Sequence, residues 1–165
     1  LKEYARRGKD NDFPELERCP CCKGVVRMDK HGFYCRNALE GEGEGELRIP
    51  IRRLRCPSCR KTASLSPDFL LPYFQHTLRD VIEGIRKSLV GKVSVWRQRF
   101  QFYRKRFLRQ LNQVEMFFRA EGFRGRLPGN TKEKAIKLMR MILALTEATF
   151  VRRSRGHFTT NFMAL

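Results

Sequence analysis

Two short segments dictate most of what this chain can fold into: "CPCCKG" at residues 19–24 and "CPSCRK" at residues 56–61. A cysteine pair spaced by two residues lets the backbone turn back tightly enough for both thiolates to reach one ion, with N–H groups of the turn aimed at the sulfurs. Two such turns complete a tetrahedral four-sulfur shell with bonds of about 2.3 Å. Proline fixes the phase, because it directly follows the first ligand in each segment. Cys19 and Cys22 then align with Cys56 and Cys59, and Cys21 falls where the second segment has Ser58. The expected ligands are therefore Cys19, Cys22, Cys56 and Cys59, holding one structural Zn2+. The alternatives place Cys21 or Cys35 in the shell, or pair the thiols as disulfides.

Six cysteines would suffice for three disulfides. That reading fits poorly, because the pairs are local and their spacing is the usual one for thiolate ligands. Four sulfur ligands leave no open coordination position for water, and no glutamate stands in an H-x-E arrangement, so the metal is expected to fold the module and not to catalyse. Cys35, His31, His76 and His157 have no ligand-spaced neighbour. None of them joins the ligand set.

Charge is the second constraint. In 165 residues, 35 lysines and arginines face 17 acids, a net charge of +18. Such an imbalance implies a polyanionic partner. Membrane surface is the rival polyanion, but no apolar run of about 18 residues and no signal-peptide pattern is present, so a cytoplasmic protein without a membrane partner is expected. The chain opens on Leu1 and not on methionine, which suggests a trimmed or partial chain. Its hydrophobic content of 41% suits a modest core and not a large enzyme fold.

Between the cysteine pairs the pattern is β. "VVRM" at 25–28, a turn at "DKHG" and "FYCRNAL" at 33–39 predict a hairpin. "ELRIPIRRLRC" puts Leu47, Ile49 and Ile51 on one face, and Pro50 argues for an edge or bulge because it cannot donate to a ladder. The acidic "EGEGEGE" at 40–46 is low in complexity and predicts a loop tip facing away from any polyanion.

Beyond residue 66 the period becomes helical. Thr77 and Asp80 form a capping pair for a helix whose apolar positions are Leu78, Val81, Ile82, Ile85 and Leu89, with Gly91 as its stop. Ser94 can cap the next, whose stripe of Trp96, Phe100, Tyr103, Phe107, Leu111, Val114 and Phe118 predicts one continuous helix of about seven turns. Asn130 and Glu133 cap a further helix with an apolar face of Ala135, Met139, Ile142, Leu143 and Thr146. In the tail, Phe158, Phe162 and Met163 either dock on a partner or fold back.

The paired CPxC ribbon, "RLRCPSCRKT", a Leu/Pro/Phe linker and a following helix resemble the amino-terminal zinc-binding regions of bacterial insertion-element transposases and of a related uncharacterised family found near transposition genes. The resemblance covers about residues 15–110. It implies a zinc ribbon followed by a helix-turn-helix that reads transposon-end DNA. The sequence departs from that pattern in having no short middle helix, so either a helical hairpin forms or residues are missing between about 90 and 94.

The long helix also carries the candidate nucleic-acid contacts: Arg97, Arg99, Gln101, Arg104, Lys105 and Arg109, joined on the ribbon strand by Arg52, Arg53 and Arg55. On the helix the cations precede the acids Glu115 and Glu121 instead of pairing with them at i,i+4, which marks a phosphate-facing surface more than a merely solvated one. Arginine suits bidentate phosphate or guanine contacts.

The expected fold is thus α+β: an N-terminal segment (1–14), a four-cysteine zinc ribbon (15–66), a linker and basic helical region (67–128), and a C-terminal helix and tail (129–165). No catalytic constellation is present, so a non-enzymatic binder of double-stranded DNA is expected, an accessory or recognition component of a bacterial mobile element. An RNA- or ribosome-associated zinc-ribbon protein is one alternative. A helical subunit that binds a protein partner, or dimerises, through its aromatic stripe is the other.

Overall fold

The computed structural model describes residues 1–41, 45–91, 97–154, 157–158 and 163, with the side chains of 147 and 148 left aside. It is an α+β fold. Among the described residues, strands β1 (Asp29–Ala38), β2 (Leu47–Arg55) and β3 (Thr62–Leu65) form an antiparallel sheet in the order β1-β2-β3.

The expected turn at "DKHG" is part of β1. Gly32, at φ 91°, takes up an irregularity in pairing between Lys30 and Phe33, so the glycine marks a bulge and the strand runs on. The hairpin is β1–β2, and the acidic segment is its connection; residues 42–44, on which the expected orientation of that loop depends, lie outside the described residues. Val25 to Met28 form no strand, and Val25 makes a single bridge to Arg18. Pro50 sits opposite Cys35 in the central strand, yet β3 pairs only with Arg52 to Arg55. One flank of β2 is therefore unpaired at the proline, and the Pro50 carbonyl accepts from Tyr4 Oη at 3.0 Å. Tyr4 belongs to α1 (Lys2–Arg7), which with Phe69 covers the buried Ala38, Ile49, Ile51 and Leu70. The N-terminal segment is docked on the ribbon.

The capping pairs set the helix starts. Thr77 Oγ1 accepts from the Asp80 N–H at 3.2 Å and opens α2 (Leu78–Leu89), whose Leu78, Val81, Ile82 and Ile85 are buried. Gly91, at φ 79°, follows its end. The expected long helix is two: α3 (Arg97–Arg109) and α4 (Leu111–Ala120) meet at Gln110, whose N–H is shared between the Arg106 and Phe107 carbonyls at 3.2 and 3.0 Å. The interruption lets α3 pack on α2 while α4 packs on α5 (Thr131–Ala144). The described part of the aromatic stripe, from Phe100 to Phe118, is core; Trp96 and the Ser94 cap lie outside the described residues.

Asn130 Oδ1 caps α5 through the Lys132 and Glu133 N–H groups at 2.9 and 3.2 Å. Leu138 joins Ala135, Met139 and Ile142 in its buried face, whereas Thr146 is exposed at φ 64° between α5 and α6 (Glu147–Ser154) and takes no part in it. Phe158 and Met163 fold back into the helical core; Phe162 is outside the described residues.

At the α2–α3 contact, a Cβ on Gly84 would meet the Phe100 ring at 2.2 Å, and that ring is 3% exposed with nowhere to go. Gly84→Ala is therefore expected to cost about 1–3 kcal/mol by overpacking, against the usual gain of alanine over glycine in a helix, as thermal or denaturant unfolding would measure.

Candidate metal centre and basic helix

The two knuckles are built alike. In the first, Cys19 N donates to Gly24 O and Lys23 N to Cys19 O; in the second, Cys56 N donates to Lys61 O and Arg60 N to Cys56 O, all at 2.9–3.0 Å. Lys23 and Arg60 occupy equivalent positions at φ 61° and 58°. Each turn also aims an amide at its first sulfur: Cys21 N at Cys19 Sγ (3.4 Å) and Cys59 N at Cys56 Sγ (3.5 Å). Antiparallel pairing of β1 with β2 sets Asp29 opposite Arg55 and so brings the second knuckle beside the first.

The result is a cluster of Cys19, Cys22, Cys56 and Cys59 whose sulfurs all lie within 4.8 Å of one another. The Cys19–Cys59 and Cys22–Cys56 separations are 3.7 and 3.9 Å. A tetrahedral shell with bonds of about 2.3 Å has edges of about 3.8 Å, which the two separations match, so the donor set suits one ion. A disulfide, which needs about 2.05 Å between sulfurs, does not fit. Cys21 and Cys35 are exposed and stand outside the cluster.

The cluster's proton affinities are driven apart. The Cys22 backbone N–H, assisted by that of Cys21 and by neighbouring thiols, lowers Cys19 to about 6 against the effect of burial. The Lys61 backbone N–H favours the Cys59 thiolate, but burial and the thiols of Cys56, Cys19 and Cys22 together raise Cys59 to about 12. Four thiolates cannot share this space unaided, and a divalent cation removes the conflict.

Residues 19–99 match the model of a family described as a domain of unknown function (DUF6431). That match begins at Cys19 and spans both knuckles, the sheet, α2 and the first residues of α3. No curated protein and no solved structure matches the chain.

On α3 the candidate contacts separate into two groups. Arg97, Gln101, Lys105 and Arg109 are exposed and recur at every fourth residue, about 6 Å apart along the axis, on the side away from the buried Phe100, Tyr103 and Phe107. Among the described residues, none of Arg97, Arg99, Lys105 and Arg109 pairs with a carboxylate, and α3 itself contains no acid. Some cations elsewhere are matched: Arg27 with Glu15, Arg86 with Glu83, Arg119 and Lys134 with Glu115, and Arg153 with Glu121.

The flanking arginines serve the fold. Arg104 is half-buried and reaches the Ser88 carbonyl in the last turn of α2 at 3.5 Å, where a cation complements the helix dipole. Arg106 lies 5.0 Å above the Phe102 ring. Arg99, though exposed, reaches Gln75 Oε1 at 3.4 Å and His76 Nε2 at 3.1 Å. A guanidinium only donates, so Nε2 must accept and the proton sits on Nδ1. Burial, followed by the charge of Arg99, lowers the His76 pKa against the pull of Asp80, in keeping with a neutral ring.

Pleating divides the ribbon arginines. Arg52 shares a face with Phe33, 4.7 Å from its ring, whereas Arg53 and Arg55 point to the opposite face, with Arg53 3.3 Å from Thr62 Oγ1. The three do not make one patch. Arg36 was not marked by the sequence: its Nη2 donates to the carbonyls of Leu71, at 3.3 Å, and Phe74, tying β1 to a loop 35 residues on. No local pattern announces a bond over that separation.

Proposed function

We propose that this chain is a zinc-ribbon protein that binds double-stranded DNA, an accessory or recognition component of a bacterial mobile element. The observation that carries it is the row Arg97, Gln101, Lys105 and Arg109, exposed on one side of a helix that contains no acid, whose three cations have no carboxylate partner among the described residues. A row of unmatched cations on a rigid helix is a surface whose complement is a chain of phosphates. Zinc suits the four-thiolate tetrahedron, which it fills without redox chemistry and with no open position. Its role would be to fix the ribbon, from which the segment after β3 leads to α2 and so to α3. The resemblance to insertion-element transposases supplies the biological setting. The described part of the aromatic stripe, from Phe100 to Phe118, is taken up by the chain's own core, which favours this reading over a protein-docking one.

Fluorescence anisotropy on a labelled duplex across a salt series tests the reading. About three phosphate contacts, from Arg97, Lys105 and Arg109, give a log–log slope near −2.7, a loss of roughly 40-fold between 50 and 200 mM salt. An affinity flat in salt would refute it. Tighter binding to a structured RNA of equal length would transfer the function to RNA.

A further inference from the structure

Beside α3 lies a cleft of about 700 Å³ lined by residues that include Tyr34, Arg36, Asn37, Ser64, Tyr73 and Gln75. We infer that it receives an unpaired nucleobase of the nucleic acid held by α3, stacked on Tyr73. This deepens the proposed function and rests on it for the phosphate contacts.

Tyr73 is the central observation. Its side chain is 98% exposed and its φ is +69°, a left-handed conformation that is strained for an aromatic residue. The fold gains nothing from a ring held in water on such a backbone. The neighbours hold it there: Leu71 and Phe74 are buried, Phe74 packs 4.8 Å from Tyr103, and Arg36 binds the carbonyls of both Leu71 and Phe74. Tyr34, 40% exposed, supplies a second ring on the same sheet face as Arg36. An aromatic face kept exposed on an anchored loop is what base stacking requires, and stacking accepts any base.

The rest of the lining agrees. Asn37, Ser64, Ser66 and Gln75 offer donors and acceptors suited to base edges, and among the described residues no acid lines the cleft. Gln75 also accepts from Arg99, so the cleft joins the basic helix directly. Arg53, the strand partner of Ser64, stands at the other margin. A duplex along α3 would therefore bring a frayed end, overhang or extruded base to Tyr73.

Four probes test this with wild type and Tyr73→Ala: a blunt duplex, the same duplex with a five-nucleotide thymidine overhang, that duplex with an abasic overhang of equal phosphate count, and a free thymidine decamer. The base-bearing overhang should bind about 5- to 150-fold more tightly than the abasic one, the range expected for one stacked base. Tyr73→Ala should erase that difference and leave blunt-duplex affinity and its salt slope unchanged; Tyr73→Phe should preserve it. No difference between the two overhangs in wild type, or one that survives Tyr73→Ala, would overturn the inference. Tyr73-dependent binding of the decamer without binding of blunt duplex would remove the duplex reading and leave the base site standing. Binding of none of the four would overturn both.

Discussion

Cys56→Ser is expected to release the metal and unfold the ribbon, whereas Cys21→Ser should retain both. The core around the knuckles consists of Cys19, Met28, Leu54 and Cys56, so half of its buried residues are themselves candidate ligands. A core that small cannot sustain the sheet alone, and structural zinc contributes an apparent 10–16 kcal/mol, comparable to the whole stability of a domain. Serine at 56 removes a thiolate from the cluster. At position 21 what matters is the backbone N–H, which donates to Cys19 Sγ and survives the substitution, while the side chain is exposed. Metal content per chain and hydrogen exchange of β1–β3 would report both variants. The helical core shares no residue with the knuckle core, so helical circular dichroism should persist in Cys56→Ser. Equal metal loss in the two variants would refute the phase inferred from the prolines.

What the sequence reveals and what it hides divide along one physical line. Features closed by neighbours in sequence were legible: the CPxC turns, the Thr77 and Asn130 caps, the apolar faces of α2 and α3. Features that depend on distant partners were not. "DKHG" has turn composition, yet pairing with β2 outweighs it and leaves a bulge at Gly32. The stripe from Phe100 to Phe118 keeps helical phase through Gln110, and only the separate packing of α3 on α2 and α4 on α5 divides it. The sequence marks both Arg104 and Arg109 as phosphate contacts, although they stand about 140° apart on a helical projection; a half-buried position beside Ser88 makes the flanking one structural, and open solvent frees the other. Tyr73 follows a proline and carries no glycine signal, so its left-handed backbone and its exposure come only from the anchoring of its neighbours.

That distinction fixes the design of the second large effect. Arg97, Lys105 and Arg109 changed together to alanine should leave stability within about 0.5 kcal/mol, because exposed cations without partners contribute little to folding. Arg104 must be excluded, since its replacement takes a cation from the end of α2 and vacates a half-buried site; Arg99 must be excluded because it organises Gln75 and His76. At 50 mM salt the triple variant should bind duplex DNA roughly 10²- to 10³-fold more weakly, at about 1–1.5 kcal/mol for each side chain that no longer reaches a phosphate. Its salt slope should become shallower by about one for each of those side chains. These two readouts must move together, since counterion release ties the drop in affinity to the drop in slope. Weaker binding with an unchanged slope would mean that the substitutions had disturbed the surface and not its grip on phosphate. Normal binding by a folded triple variant would move the phosphate surface off α3, and Arg53 with Arg55, on the sheet face shared with Tyr34, would be the next residues to replace.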